Sequence, residues 1–501
     1  MYDVAVIGLG PVGATLANLL ARCGLAVAVL ERESAPYALP RAVQFDAECM
    51  RVFDAIGIAQ ELAAACHVVP GMKFINANGQ LLVDWPRPQE IGAQGWHSSY
   101  RFHQPDLERI LRARLSTQAN VSVCLRSEVY AIEESADKVT VRYEDLSCGK
   151  LKAIEAAYVV GADGARSLVR RLIGAEMTDM GLHERWLVFD AVLKRPWSVL
   201  GDHSVQFCDP ARPATYVRGT GNRRRFEIML HAGEDAEQMT RPDTVWSLIE
   251  RWMTPADAEL ERAVVYTFHA LVAQRWRRGR LMLAGDSAHQ TPPFLGQGLC
   301  AGIRDAANLA WKLMAVRRHG AVDTLLDTYQ DERAPHAREY ISLAVELGRI
   351  IQARDAQEVA ERDRTLAAAP RMLRSLSPRL GESSLRLAQA AGGTVSPQPM
   401  LAGGERVDAR AGQTFAILAR PGLLDPASAQ ALREQMDYPL TVIDAESAEA
   451  VDCLKEFDAA AIVIRPDRYI LGTASDQQAL KALISGLGHI LEADNATAMA
   501  S

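Results

Sequence analysis

Apolar residues run through residues 2–7 and again through 26–30, and between them hydrophobic positions recur at helical spacing over 12–23. The pattern predicts strand, helix, strand: a βαβ unit with its first turn at a cluster of glycines. A helix over 46–56, a hairpin over 71–85 turning at Asn78-Gly79, and a helix over 104–115 follow. Strands are expected over 121–125, 129–134 and 138–143, and a buried strand over 157–161. Residues 186–269 read as strand-rich, with a turn at 219–222. A buried strand at 280–284 leads into a glycine-containing loop, then helices over 301–316 and 332–354. Residues 366–399 read as a helical linker. After Gly403, strands over 415–419, 440–443 and 460–464 alternate with helices, the pattern of a separate α/β unit.

The chain has 501 residues, so two or three domains are expected. A net charge of −7 argues against a nucleic-acid partner, and the run Arg223-Arg224-Arg225 reads as a solvated hairpin edge. The eight cysteines form no Cys-x-x-Cys and none stands near a histidine at zinc spacing. They read as buried thiols of a reducing compartment, and no metal site is expected. Asp3 stands where a signal peptide would be basic, and no apolar run reaches membrane-spanning length. The expectation is a cytoplasmic protein with no membrane partner.

Three motifs carry the chemistry. In Gly8-Leu9-Gly10-Pro11-Val12-Gly13, the glycines permit a tight turn, close approach of backbone to a pyrophosphate, and close helix–strand packing. Glu31, followed by Arg32, ends the second strand, where a carboxylate can accept from ribose hydroxyls. Alone, this motif fits NAD as well as FAD. The second motif is Asp163-Gly164 after the strand 157–161; by itself it is only a strand-to-helix turn. The third is Gly285-Asp286, continued by Pro292-Pro293-Phe294-Leu295-Gly296-Gln297-Gly298-Leu299. Asp286 can hold a ribityl hydroxyl, and the amides of 296–299 open a helix whose dipole favours negative charge on a reduced flavin. Taken in this order, the three select FAD. His289 has no second metal ligand at a sensible spacing and reads as a buttress of its loop.

The order and spacing resemble the class A FAD-dependent aromatic hydroxylases, the p-hydroxybenzoate hydroxylase fold, in the branch of 3-(3-hydroxyphenyl)propionate hydroxylase and the polyketide hydroxylases. Arg41-Ala42-Val43, Gln104-Pro105-Asp106, and residues 302–313 support it, and it covers residues 1–395. The resemblance implies an α/β protein with a discontinuous Rossmann-like FAD-binding domain (1–70, 101–180, 270–395). It implies an inserted β-rich substrate domain (71–100, 181–269) and a thioredoxin-like C-terminal domain (400–501) without redox cysteines. It places Arg41 along the FAD and near the entering NADH or NADPH, Gln104 beside the FAD chain, and Leu125 at the adenine end. Asp163 would serve the pyrophosphate, Asp286 and the Gly296–Leu299 amides the ribityl and flavin ring, and Pro293 the meeting point of oxygen and substrate.

The implied reaction hydroxylates a small phenolic ring with NAD(P)H and O₂ through a flavin C4a-hydroperoxide, in a chain that could pair as a homodimer. Where some relatives carry a histidine, this chain has Gln44, which can hydrogen-bond a hydroxyl but cannot take its proton. Asp46 (otherwise a helix cap), His203, Tyr216 and Arg225 remain open as the base. The alternative function is a non-oxygenase FAD-dependent reductase on the same fold. A flavin halogenase is disfavoured because no Trp-x-Trp-x-Ile-Pro segment is present.

Overall fold

The computed structural model describes residues 1–36, 40–385 and 390–492. The strand Tyr2–Ile7 lies inside an eight-stranded sheet whose main path runs Arg277–Arg278, Leu281–Leu283, Lys150–Gly161, Tyr2–Ile7, Val27–Leu30, Val121–Cys124. Its neighbours Val27–Leu30 and Lys150–Gly161 both run parallel to it. Val4, Ala5 and Val6 are wholly buried, which is why this strand reads as a continuous apolar run rather than an alternating one.

The helix Pro11–Arg22 leaves the first strand through the glycine turn. Gly8 has φ +100°, and a Cβ on Gly13 would stand 2.0 Å from the Gly8 carbonyl oxygen. Backbone cannot retreat as a side chain can, so Gly13→Ala is expected to cost about 1–3 kcal/mol or more. A urea midpoint unchanged from wild type would contradict this packing.

A nine-stranded sheet stands beside the first. Its order is His289–Gln290, Ala258–Ala273, Met177–Leu193, Arg223–Met229, Ala214–Arg218, Ser204–Cys208, Gly71–Asn76, Leu81–Pro86, Arg371–Met372. The register places Gln206, Thr215 and Glu227 in one cross-strand row, and Val217, Arg225 and Asp190 in the next. Side chains alternate along each strand. One face therefore carries Phe189, Phe207, Tyr216 and Phe226 into an apolar cluster with Val245 and Ile249. The other face is polar and looks toward the glycine motifs.

A small three-stranded sheet, Gln44–Asp46, Ser99–Arg101 and His67–Val68, sets Gln44 directly opposite Arg101. The C-terminal residues build a four-stranded sheet in the order Leu440–Asp444, Phe415–Ala419, Ala461–Ile464, Ile470–Ala474. Trp311 and Met314 of the helix Gly298–Arg318 share its apolar core. Buried ion pairs tie it down: Arg465 donates to Glu332 at 2.7 and 2.8 Å and to Asp467, while Lys312 reaches Glu332 at 2.8 Å.

Three expectations need correction. The segment 366–399 is not a helical linker: the helix Ala356–Ala368 stops before Pro370, and no helix is present among the described residues 370–385 and 390–399. Pro370 and Pro378 lack the amide hydrogens a helix needs. The helix expected over 332–354 is Thr328–Gln352 and runs through Pro335. Finally, Arg223-Arg224-Arg225 is no solvated edge: Arg224 and Arg225 are buried in the middle of the nine-stranded sheet.

Candidate active site

A cavity of about 270 Å³ lies where the two large sheets meet. Gly10, Pro11, Val12, Arg41, Gln44 and Gln104 line one side, and Asp286, Pro293, Gly296, Gly298 and Leu299 another. The polar face of the nine-stranded sheet closes it with Gln206, Thr215, Val217, Arg225 and Glu227, joined by Met72 and Arg101.

The dinucleotide end is built to hold an anion. Gly10 precedes the helix Pro11–Arg22, and a Cβ added at Gly10 would meet nothing within 4 Å. Backbone N–H groups and the helix dipole are open to a pyrophosphate there. The Glu31 carboxylate accepts from the Leu9 amide at 2.6 Å and the Glu33 amide at 2.8 Å, which fixes it at the strand end. Asp286 is enclosed by the molecule yet exposed, because it faces the open cavity; burial raises its carboxyl above the ordinary value. A hydroxyl-bearing ligand would relieve that desolvation. Behind it, His289 shares Asp305 at 2.7 Å, and Asp305 accepts from the Gly285 amide at 3.1 Å, so His289 braces the loop. The turn Pro293–Leu295 ends at Gly296 with φ +65°, and the helix Gly298–Arg318 begins at the cavity wall. This constellation fits the parts of FAD from ribose to ring. Asp286→Ala is expected to weaken FAD binding by about 10- to 100-fold, as for a lost hydrogen bond to a charged group. Equilibrium dialysis against FAD checks it, and unchanged affinity would remove Asp286 from the site.

The loop carrying Arg41 is held from both sides. Gln104 accepts from the Arg41 and Ala42 amides at 2.9 and 2.8 Å. Arg225 donates to the carbonyls of Arg41 and Pro40 at 2.7 and 2.5 Å and pairs with Asp190 at 2.7 Å. Arg262 joins the same Asp190 and the Pro40 carbonyl. Arg225 is thus a pin for this loop, and its pairing holds the guanidinium charged, so it is no base.

Other expected residues stand apart. Asp163 accepts from the Leu168 and Val169 amides at 2.7 and 3.2 Å at the start of the helix Leu168–Leu172, which Ser167 caps, while its neighbours Ala162 and Gly164 line the cavity. Gln297 accepts from Arg304 at 3.1 Å beside a second cavity of about 150 Å³. Arg32 and Leu125 lie exposed on the surface. Of the base candidates, Asp46 caps the helix Ala47–Ile56 and pairs with Arg304. Tyr216 points into the apolar face, and His203 is half-buried just before the strand Ser204–Cys208, outside the cavity.

Sequence reasoning missed Glu227 and Arg101. Both are buried and both line the cavity. Burial raises the Glu227 carboxyl, opposed by Arg225. The available signal was alternation: placing Tyr216 in the core puts 215 and 217 on the other face, and pairing then brings Glu227 and Arg225 to it.

The chain matches the family model described as FAD binding domain over residues 1–344. It is 41% identical over 370 residues to a probable NADH-specific resorcinol 4-hydroxylase of Rhodococcus jostii, covering 73% of this chain and 69% of that one. It is 38% identical over 373 residues to a 3-(3-hydroxy-phenyl)propionate/3-hydroxycinnamic acid hydroxylase of Mycobacterium sp., covering 73% of this chain and 63% of that one. The fold superposes on the flavin-dependent monooxygenase PieE with a TM-score of 0.82 at 20% identity, over 98% and 99% of the two chains. Aklavinone-11 hydroxylase gives 0.78 at 24% identity, over the same shares. These names support the hydroxylase reading and not the reductase alternative. With the motifs in place around one cavity and these relatives beside it, the chain belongs to the family of FAD-dependent aromatic hydroxylases.

Proposed function

We propose that this chain hydroxylates a small phenol, using NAD(P)H and O₂, in the cavity between the glycine motifs and the polar sheet face. The observation that carries this reading is the shared cavity: the residues suited to FAD and a row of buried polar side chains line one space. FAD, when bound, supplies the reducible ring that activates oxygen. The chain's own residues do the rest. Gly10–Val12 and Glu31 hold the ADP end, Asp286 the ribityl chain, and the Gly298 and Leu299 amides the ring edge. Pro293, Met72 and Val217 keep water from the reacting face. Glu227 takes the phenol proton, because a carboxylate shifted upward by burial is matched to that task. Gln44 and Arg101 hold the substrate.

Phenols of the kinds named for the relatives, a resorcinol or a hydroxyphenylpropionate, are the substrates to try, with NADH as donor. The nine-stranded sheet acts as the substrate domain. The C-terminal unit acts as a thioredoxin-like packing element that could also support a homodimer; its Cys453 has no thiol partner among the described residues. Anaerobic stopped-flow reduction of the FAD-loaded protein by NADH tests the reading. Reduction accelerated by one of these phenols is expected. Reduction indifferent to every phenol, with no hydroxylated product after air is admitted, would overturn it.

A further inference from the structure

Most buried arginines in this protein sit on acids: Arg51 on Asp408, Arg225 on Asp190, Arg304 on Asp46 and Glu48, Arg333 on Asp305. Arg101 does not. It is 3% exposed, and among the described residues no carboxylate lies within ion-pair distance of it. Its guanidinium donates to the Gln44 Oε1 and, at 2.9 Å, to the Ser204 hydroxyl. Its Nε has no partner. Burial, and then the charge of Arg87, push it down to about 9. Arg87 and Arg224 also lack an acid, but neither lines the large cavity.

Gln44 stands opposite Arg101 in the small sheet and spends its oxygen on it. The Gln44 Nε2 is therefore turned away, and it too is buried without a partner. Arg101 and Gln44 both line the large cavity, next to the turn at Gly296, whose Cβ would lie 3.3 Å from Gln44. A buried donor left unmade is costly, and a buried unpaired charge more so. The unpaired charge is relieved by an acceptor at the cavity wall that itself carries negative charge.

We propose that the Arg101 guanidinium, with no acid paired to it at the cavity wall, and the Gln44 side chain bonded to it form a subsite for an anionic oxygen carried by the ring substrate. The oxygen belongs to a side-chain carboxylate or to a phenolate; the chemistry of recognition is the same. The inference rests on the hydroxylase reading above and names the group that its substrate must carry.

Titration of the FAD-loaded protein, read by perturbation of the flavin absorbance, tests it. One arm compares 3-(3-hydroxyphenyl)propionate with its methyl ester. The other compares resorcinol with its dimethyl ether. In wild type, the member able to present an anionic oxygen is expected to bind at least about 10-fold tighter in one arm, and that arm identifies the source. Arg101→Met should erase the difference with FAD retained, Arg101→Lys should restore part of it, and Gln44→Leu should reduce it. The wild-type comparison stands even where a variant fails to fold. Equal binding within both pairs, or discrimination that survives Arg101→Met, would overturn the subsite. Discrimination without any hydroxylated product would instead sink the proposed reaction and leave the subsite standing.

Discussion

Glu227→Gln is expected to slow hydroxylation of a phenol by about 10²- to 10⁴-fold, the usual worth of a positioned proton acceptor. The substitution keeps shape and hydrogen bonding but removes the ability to take a proton. FAD retention should be unchanged, since Glu227 lies on the sheet face across the cavity from the glycine motifs. The pH profile carries the same information. Desolvation raises the Glu227 carboxyl, and Arg225 only partly opposes this. The base form is the deprotonated one, so activity should rise as pH climbs through a value above the ordinary carboxylate range. That limb should vanish in Glu227→Gln. A glutamine variant that keeps both the rate and the acid limb would show that another group takes the proton.

Asp190→Asn should destabilise the fold by about 3–5 kcal/mol, because it strips the acid from two buried arginines. Arg225 and Arg262 both pair with Asp190 and both hold the Pro40 carbonyl. The loss should therefore also loosen the loop that presents Arg41. Asp190 is held below its ordinary value; burial pushes it up, and the two guanidinium groups more than reverse that. A depressed acid contributes stability that is fully present above its unfolded pKa. That stability is lost as pH falls through the lower folded value. Wild type should thus keep this contribution at neutral pH and lose it in strong acid. The asparagine variant should lack it throughout. Urea midpoints across pH check both statements, and a variant within about 0.5 kcal/mol of wild type, the range of ordinary surface changes, would contradict them.

The dinucleotide half of the site was legible because its signals are local. Tyr2–Ile7 is buried on both faces, so it reads as one apolar run, and Gly8 and Gly13 sit where backbone leaves no room for a Cβ. Asp46 was legible as a helix cap for the same reason. The proposed substrate half was not legible, because it is made by pairing across distant strands. Glu227 meets Thr215 and Val188, and Gln44 meets Arg101, across tens of residues of chain. Nothing near Arg225 in sequence shows that its acid is Asp190. A triplet of arginines reads as solvated until the sheet order places it centrally. Tyr216 looked like a proton acceptor by residue type alone, and alternation along its strand put it in the core instead.

In the proposed reaction this cavity joins a bound flavin to a phenol and passes oxygen from O₂ to the ring. Turnover of the FAD-loaded protein with NADH and a phenol under isotopically heavy O₂, read by mass spectrometry of the product, tests it most directly. The expected product carries a single heavy oxygen atom, taken from O₂. NADH consumed with no oxygenated product, or a product whose new oxygen comes from water, would contradict it.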